Sequence, residues 1–243
     1  MAVGYTAAME SSYQKSGRYL YTVGRELHRT GRLFLLLLAA ATVGLYAVSP
    51  HILHYLQAHL DQKLAFFSVA GPFLAHVKLG FFAAIFLFMP WMTLLVWRAL
   101  SRPFGFTPAM VFWFFSGTCL LFYSGVLFCF TITLPYGVNF LLGFQSEDLV
   151  PVISITKFVS FVTIFLFAFG LIFELPIFMV FLAKVGLYPR EKFEKNRRYA
   201  VLVISIIAAL LTPTPDVVNM LLMGVPLYLL YEAGIVVIRI LRY

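Results

Sequence analysis

Residues 158–183 read F-V-S-F-V-T-I-F-L-F-A-F-G-L-I-F-E-L-P-I-F-M-V-F-L-A, an apolar run bounded by Lys157 and Lys184 and interrupted by one ionisable residue, Glu174. About 30 Å of hydrocarbon is crossed by about 20 residues of helix at roughly 1.5 Å per residue. The run is therefore long enough to span a bilayer, and the composition of the whole chain agrees. Of its 243 residues, 62% are hydrophobic and 12% charged, against about 45–50% and about 25% in soluble domains. A soluble fold is excluded. Lipid satisfies no backbone group, so an all-α polytopic membrane protein is expected.

Charged residues mark the remaining spans. Span one runs from about Leu33 to Val48, span two fills the uncharged stretch between Lys78 and Arg98, and span three lies between Arg102 and Glu147 and ends near Pro135. The quoted run is span four; span five runs from Tyr199 to Leu211 and span six from Asp216 to about Ile238. Six transmembrane helices, the last two short, make up a single membrane domain over 1–243. Fifteen of the 18 lysines and arginines lie in a leader (1–32), two loops (98–110 and 184–198) and the tail, leaving Lys63, Lys78 and Lys157 for the other side. The positive-inside rule then places both termini and both loops in the cytoplasm. The amphipathic leader is polar and tyrosine-rich, unlike a signal peptide, and is expected to remain on the mature protein.

The loop 49–77 is expected to form an external cap of short helices, because Ile52, Tyr55, Leu56, His59 and Leu60 repeat at helical spacing. Tyr46, Trp97, Tyr136, Tyr199 and Tyr228 read as interfacial anchors, and Phe81–Phe88 as lipid-facing surface. Span five is anomalous: from Tyr199 to Leu211 gives about 20 Å of helix before Pro213 and Pro215. Either the membrane thins there or neighbouring helices shelter it.

Several chemistries are excluded by what is missing. The formal charge of +8 comes from short clusters flanking apolar runs, which the positive-inside rule explains without nucleic acid. Cys119 and Cys129 both sit within one apolar segment and read as packed or lipid-facing thiols. His51 and His54 have helical spacing, but no further ligand completes a metal set. Hydrolase, metalloprotease and nucleotide-binding motifs are absent, so neither an enzyme nor a cofactor is expected, and ATP is not the energy source within this chain. No internal repeat is evident, which argues against an inverted-repeat transporter.

The remaining ionisable residues divide into structural and functional candidates. Glu174 lies 17 residues from Lys157 and 10 from Lys184, deep in the hydrocarbon, where a carboxylate costs about 2.5–3.5 kcal/mol on insertion scales. It is protonated or partnered there, and an intramembrane acid marks function by default. Pro176 releases the carbonyl at residue 172, so span four is kinked and locally polar around it. Asp216 opens span six as an N-cap. Glu232 lies 16 residues further, near the boundary, with Arg239 or backbone as partners. Glu26 sits among Arg25, Arg29 and Arg32, either in a solvated ion pair or as an acceptor for guanidinium groups from outside.

Four segments carry a family resemblance. Leu210-Leu211-Thr212-Pro213-Thr214-Pro215-Asp216, followed by Pro226-Leu227-Tyr228-Leu229-Leu230-Tyr231-Glu232, is similar to the L-T-P-P-D and P-x-x-x-L-[YF]-E stretches of TatC, with one residue extra. Phe169-Gly170-x-x-Phe173-Glu174-x-Pro176 resembles the F-G-x-x-F-E-x-P of TatC helix four. Gly71-Pro72-Phe73 with Lys78 resembles its S-P-F or E-P-F and lysine at the start of helix two, and Glu26-Leu27-His28-Arg29 its E-L-R-x-R before helix one. Pro72, Pro213, Asp216 and Glu232 are then structural motif residues. The resemblance implies a receptor and scaffold subunit of the twin-arginine translocase in a bacterial or archaeal cytoplasmic membrane, exporting folded proteins with the proton motive force.

Its implied partners are small single-span subunits of the TatA and TatB type, precursors bearing twin-arginine signals, lipid, and further copies in a homo-oligomeric complex. Glu26, Leu27 and Arg29 fall in the signal-binding segment, and Glu174 with Pro176 in an intramembrane docking site. The family's second acid, in the first cytoplasmic loop, is missing: residues 98–110 contain none. Glu191 or Glu194 could substitute, although pairing with Lys192, Lys195 and Arg197 competes. The alternative reading is a small proton-coupled secondary transporter, which would also use Glu174.

Overall fold

The structure, a computed structural model, describes residues 2–60, 64–143, 152–211 and 217–241, with side chains from Gly31 onward except 140–142, 211, 217–219 and 222. Helix α1 (Ala2–Leu60) is followed by a two-residue strand β1 (Leu64–Ala65), α2 (Gly71–Phe104) and α3 (Pro108–Phe128). A π-helical turn (Cys129–Thr133) joins α3 to α4 (Leu134–Leu142). Strand β2 (Ile153–Ser154) leads into α5 (Ile155–Phe173) and α6 (Leu175–Lys184), then α7 (Arg190–Lys195), α8 (Arg197–Leu211) and α9 (Val217–Ile240). Among the described residues five helical stretches are long and apolar enough to cross a membrane: Gly31–Leu60, Gly71–Phe104, Pro108–Asn139, Ile155–Lys184 and Met223–Ile240.

Helix α1 packs on α2, α2 on α3 and α5, α3 on α5, α6 on α9, and α9 on α8. Strands β1 and β2 pair in parallel, Leu64 with Ile153, and tie the two connections at one end together. Two hydrophobic clusters fill the interior. One gathers Leu53, Leu79, Leu134, Val162, Phe169 and Phe173 towards the strand end, and the other Trp97, Phe114, Met179, Phe193, Leu227 and Ile235 towards α7. The break between α5 and α6 falls where they meet.

The helices outrun the expected spans because interior prolines do not end them. Proline lacks the N–H that would bond four residues back, and here a side chain repairs the loss. Pro50 frees the Tyr46 carbonyl, which the adjacent Ser49 hydroxyl reaches at 2.7 Å; that hydroxyl's oxygen in turn lies 2.9 Å from His76 Nδ1. Pro90 frees the Phe86 carbonyl, and Tyr123 on α3 donates to it at 2.7 Å. Pro135, expected to end span three, is instead passed by the π turn, in which Leu134 N–H bonds Cys129 O. In that five-residue register Pro135 would have served Phe130, whose carbonyl receives His59 Nε2 from α1 at 3.1 Å. The expected cap helices of 49–77 are thus a continuation of α1 to Leu60, with α2 already begun at Gly71.

Other expectations are corrected by packing. Of the two last helices only α8 is short, at 15 residues; α9 has 24 and runs through Pro226. Helix α8 exposes Leu202, Val203, Ile206 and Leu210. Trp97 is buried rather than interfacial, and Tyr228 is turned onto Glu232. In the Phe81–Phe88 stretch Phe81 and Leu87 are exposed, but Phe82 and Phe86 pack on Phe167.

Candidate functional site

Glu174 is the single residue between α5 and α6. Its N–H reaches back only to Leu171 O at 3.1 Å, a tightened turn, while its own carbonyl starts the next helix by accepting Phe178 N–H at 3.0 Å. Pro176, buried in the first turn of α6, has no N–H to offer Ile172, which is why the helix breaks at this point. The break is held between α3 and α9.

The Thr118 hydroxyl of α3 lies beside the carboxyl, whose Oε1 is buried with no partner. Trp97 Nε1–H of α2 donates to Thr118 Oγ1 at 3.0 Å, so the threonine hydroxyl keeps its own proton to donate. Trp97 itself is fixed by stacking on Phe114 at 4.5 Å and by the edge of Phe181 at 5.6 Å. Three helices therefore converge on a chain of polar groups running Trp97, Thr118, Glu174, with one oxygen left over. In hydrocarbon such an oxygen either takes a hydrogen bond from a second helix or carries a proton. Sequence reading placed Glu174 and Pro176 and missed Thr118 and Trp97. The available signal was that a buried indole N–H needs a partner.

A second cluster occupies the arginine-rich end. Glu232 pairs with Arg197, not with Arg239 as expected: Nε lies 2.8 Å from Oε1 and Nη2 3.0 Å from Oε2, and Tyr228 Oη donates to Oε1 at 2.9 Å. Glu194 pairs with Arg190 at 2.9 Å and Arg239 at 3.0 Å rather than with its sequence neighbours. Arg239 lies two helical turns beyond Glu232, about 10 Å, whereas the α8–α9 packing brings Arg197 alongside. The Tyr231 hydroxyl donates to Phe193 O at 2.8 Å, and Phe193 is buried under it. Residues 190–197 are thus clamped onto α9.

The clamp sets a prediction. Arg239 first and Arg190 second hold the Glu194 carboxyl below its usual range. Its contribution is therefore full at neutral pH, and is lost as pH falls below the ordinary value of about 4.3 and through the depressed one. Exposed ion pairs stabilise little, whereas an unsatisfied buried carbonyl costs about 1–3 kcal/mol. Tyr231→Phe should accordingly speed amide hydrogen exchange over 190–195 more than Glu194→Gln does. Equal effects would count against the hydroxyl as the main fastening.

Other expected site residues are less accessible. Glu26, Leu27 and Arg29 lie in α1, with side chains outside the described residues, and Pro213 and Asp216 fall outside them altogether. Pro72 occupies the first turn of α2, where its missing N–H costs nothing. The acid-free first loop is closed by Gly105 in the left-handed region (φ 62°), with Phe106 N–H bonded to Ser101 O at 3.0 Å. Phe106 stacks on Phe114 at 5.6 Å. Among the described residues no three His, Cys, Asp or Glu side chains gather in a metal-binding group.

Fold and site together define a polytopic helical membrane protein, built around a carboxylate at a broken helix. The family model of the Sec-independent protein translocase protein TatC matches residues 24–226. The TatC of Carboxydothermus hydrogenoformans is 36% identical over 186 residues, covering 75% of this chain and 76% of that protein. That of Koribacter versatilis is 34% identical over 178 residues, covering 73% and 65%. The crystal structure of the twin arginine translocase receptor TatC superposes with a TM-score of 0.76 at 26% identity, covering 91% of this chain and all of that one. The chain belongs to the TatC family of Sec-independent protein translocase components, a non-enzymatic membrane-protein family. Membership decides between the two sequence readings in favour of the translocase.

Proposed function

We propose that this chain is the signal-receptor and scaffold subunit of a twin-arginine translocase in a bacterial or archaeal cytoplasmic membrane. It has six spans and both termini inside, and α8 is the fifth span. Its 15 residues reach about 22 Å, and its exposed Leu202, Val203, Ile206 and Leu210 favour local thinning of the bilayer over shelter by neighbours. The leader segment with Glu26, Leu27 and Arg29 meets the signal. A carboxylate there accepts guanidinium forks, and the family's usual second acid is missing from residues 98–110.

Glu174 and Pro176 form the point where a small single-span subunit of the TatA or TatB type docks a polar residue. The observation that carries this is the buried, unpartnered Glu174 Oε1 at a helix break. Further copies of the chain assemble in the same complex, and export of folded precursors draws on the proton motive force.

Orientation is tested with reporter fusions. Fusions at Thr107 and Glu191 should behave as cytoplasmic, and those at Lys63 and Gln145 as external, as the placement of fifteen of 18 cations on one side requires. A cytoplasmic signal at Lys63 would overturn the topology.

A further inference from the structure

Lys78 and Lys157 are two of the three cations on the side the positive-inside rule depletes, and both lie at the end of the bundle where α2 packs on α5. Lys78 Nζ donates to Ser160 Oγ at 2.8 Å, and Ser160 spends its own proton on Thr156 O at 2.8 Å. Lys157 is three residues before Ser160 on α5, hence on the same face one turn nearer the strand end. The helices are joined here by Thr156 Oγ1, which donates to Gly71 O at 3.1 Å.

Lys157 lies in the first turn of α5, where the macrodipole disfavours a cation, and Lys78 lies two turns into α2. Neither is paired with an acid among the described residues. Both are exposed, and the surface around them is apolar: Phe73 and Leu74 precede Lys78 on α2, and Ile164 and Leu171 follow Ser160 along α5, all four exposed. Positive charge at the boundary with an exposed apolar strip running into the hydrocarbon below matches the chemistry of a phospholipid, with phosphate above and acyl chains beneath.

We propose that Lys78, Lys157 and the Ser160 region form a binding site for the phosphate of an anionic glycerophospholipid of the outer leaflet, its acyl chains lying along Ile164 and Leu171. The lipid supplies the countercharge that the chain's described residues lack, and it bridges α2 to α5 on the outward face of the bundle.

The test uses the full chain in nanodiscs of phosphatidylcholine with phosphatidylglycerol, reading the lipid retained after transfer to detergent by native mass spectrometry. The double variant Lys78→Gln/Lys157→Gln should retain phosphatidylglycerol about 30-fold less than the parent, two near-surface cations having been removed. Lys78→Arg/Lys157→Arg should keep it, which separates charge from misfolding, and Lys195→Gln at the other face should change nothing. Unchanged retention in the glutamine double variant would overturn the site. So would an equal loss in Lys195→Gln, which would mean diffuse attraction, or displacement of the lipid by inorganic phosphate, which would mean a free-anion site.

Discussion

Glu174→Ala is expected to abolish export of folded precursors while leaving the protein inserted and folded, and Glu174→Gln to retain much of the activity. The carboxyl sits at a helix break with Oε1 buried and without a partner, beside Thr118 of α3. Alanine removes both the donor and the acceptor offered to a second helix; the amide of glutamine keeps one of each. Interhelical hydrogen bonds in membranes contribute about 0.6–2 kcal/mol, a factor of about 3 to 30 in docking. The measurement is transport together with crosslinking of a single-span partner to α6. If glutamine is as inactive as alanine while crosslinking is unchanged, the residue works through its titratable proton and docking is the wrong account.

Gly170→Val should prevent the bundle from closing. A Cβ at Gly170 would lie 2.5 Å from Phe122 Cε2, and Phe122 is fully buried, with Phe86 at 6.0 Å and Phe167 at 6.3 Å between ring centroids. The ring has nowhere to retreat. Overpacking of this kind costs about 1–3 kcal/mol even for one added methyl, so Gly170→Ala should already lower the thermal midpoint in detergent. Phe122→Leu should recover part of that loss, because the clash and its relief share one contact. A Gly170→Ala variant as stable as the parent would show that α3 and α5 do not meet this closely.

The spans were legible because charges are costly in hydrocarbon, so that Lys157 and Lys184 alone nearly bound helix four. Its break was legible too, since Pro176 acts within its own helix. The ends of spans one and three were not. Pro50 and Pro135 look like terminators along the chain, but Ser49 and His59 supply the missing hydrogen bonds, and His59 comes from 71 residues away. Sequence spacing carries no trace of such a repair. The same limit hid Trp97 and Thr118, which join Glu174 only across three helices, and the choice of Arg197 over Arg239 by Glu232, which depends on how α8 packs on α9.

Receptor function turns on whether the segment before span one meets the twin-arginine pair. A photocrosslinker at position 28, which leaves Glu26 in place, would be compared with precursors carrying Arg-Arg or Lys-Lys at the signal. Carboxylates take planar guanidinium forks bidentately, which an ammonium cannot match. Crosslinking to the Arg-Arg precursor and its loss with Lys-Lys is the expected result; equal crosslinking to both, or to neither, would contradict signal recognition at Glu26.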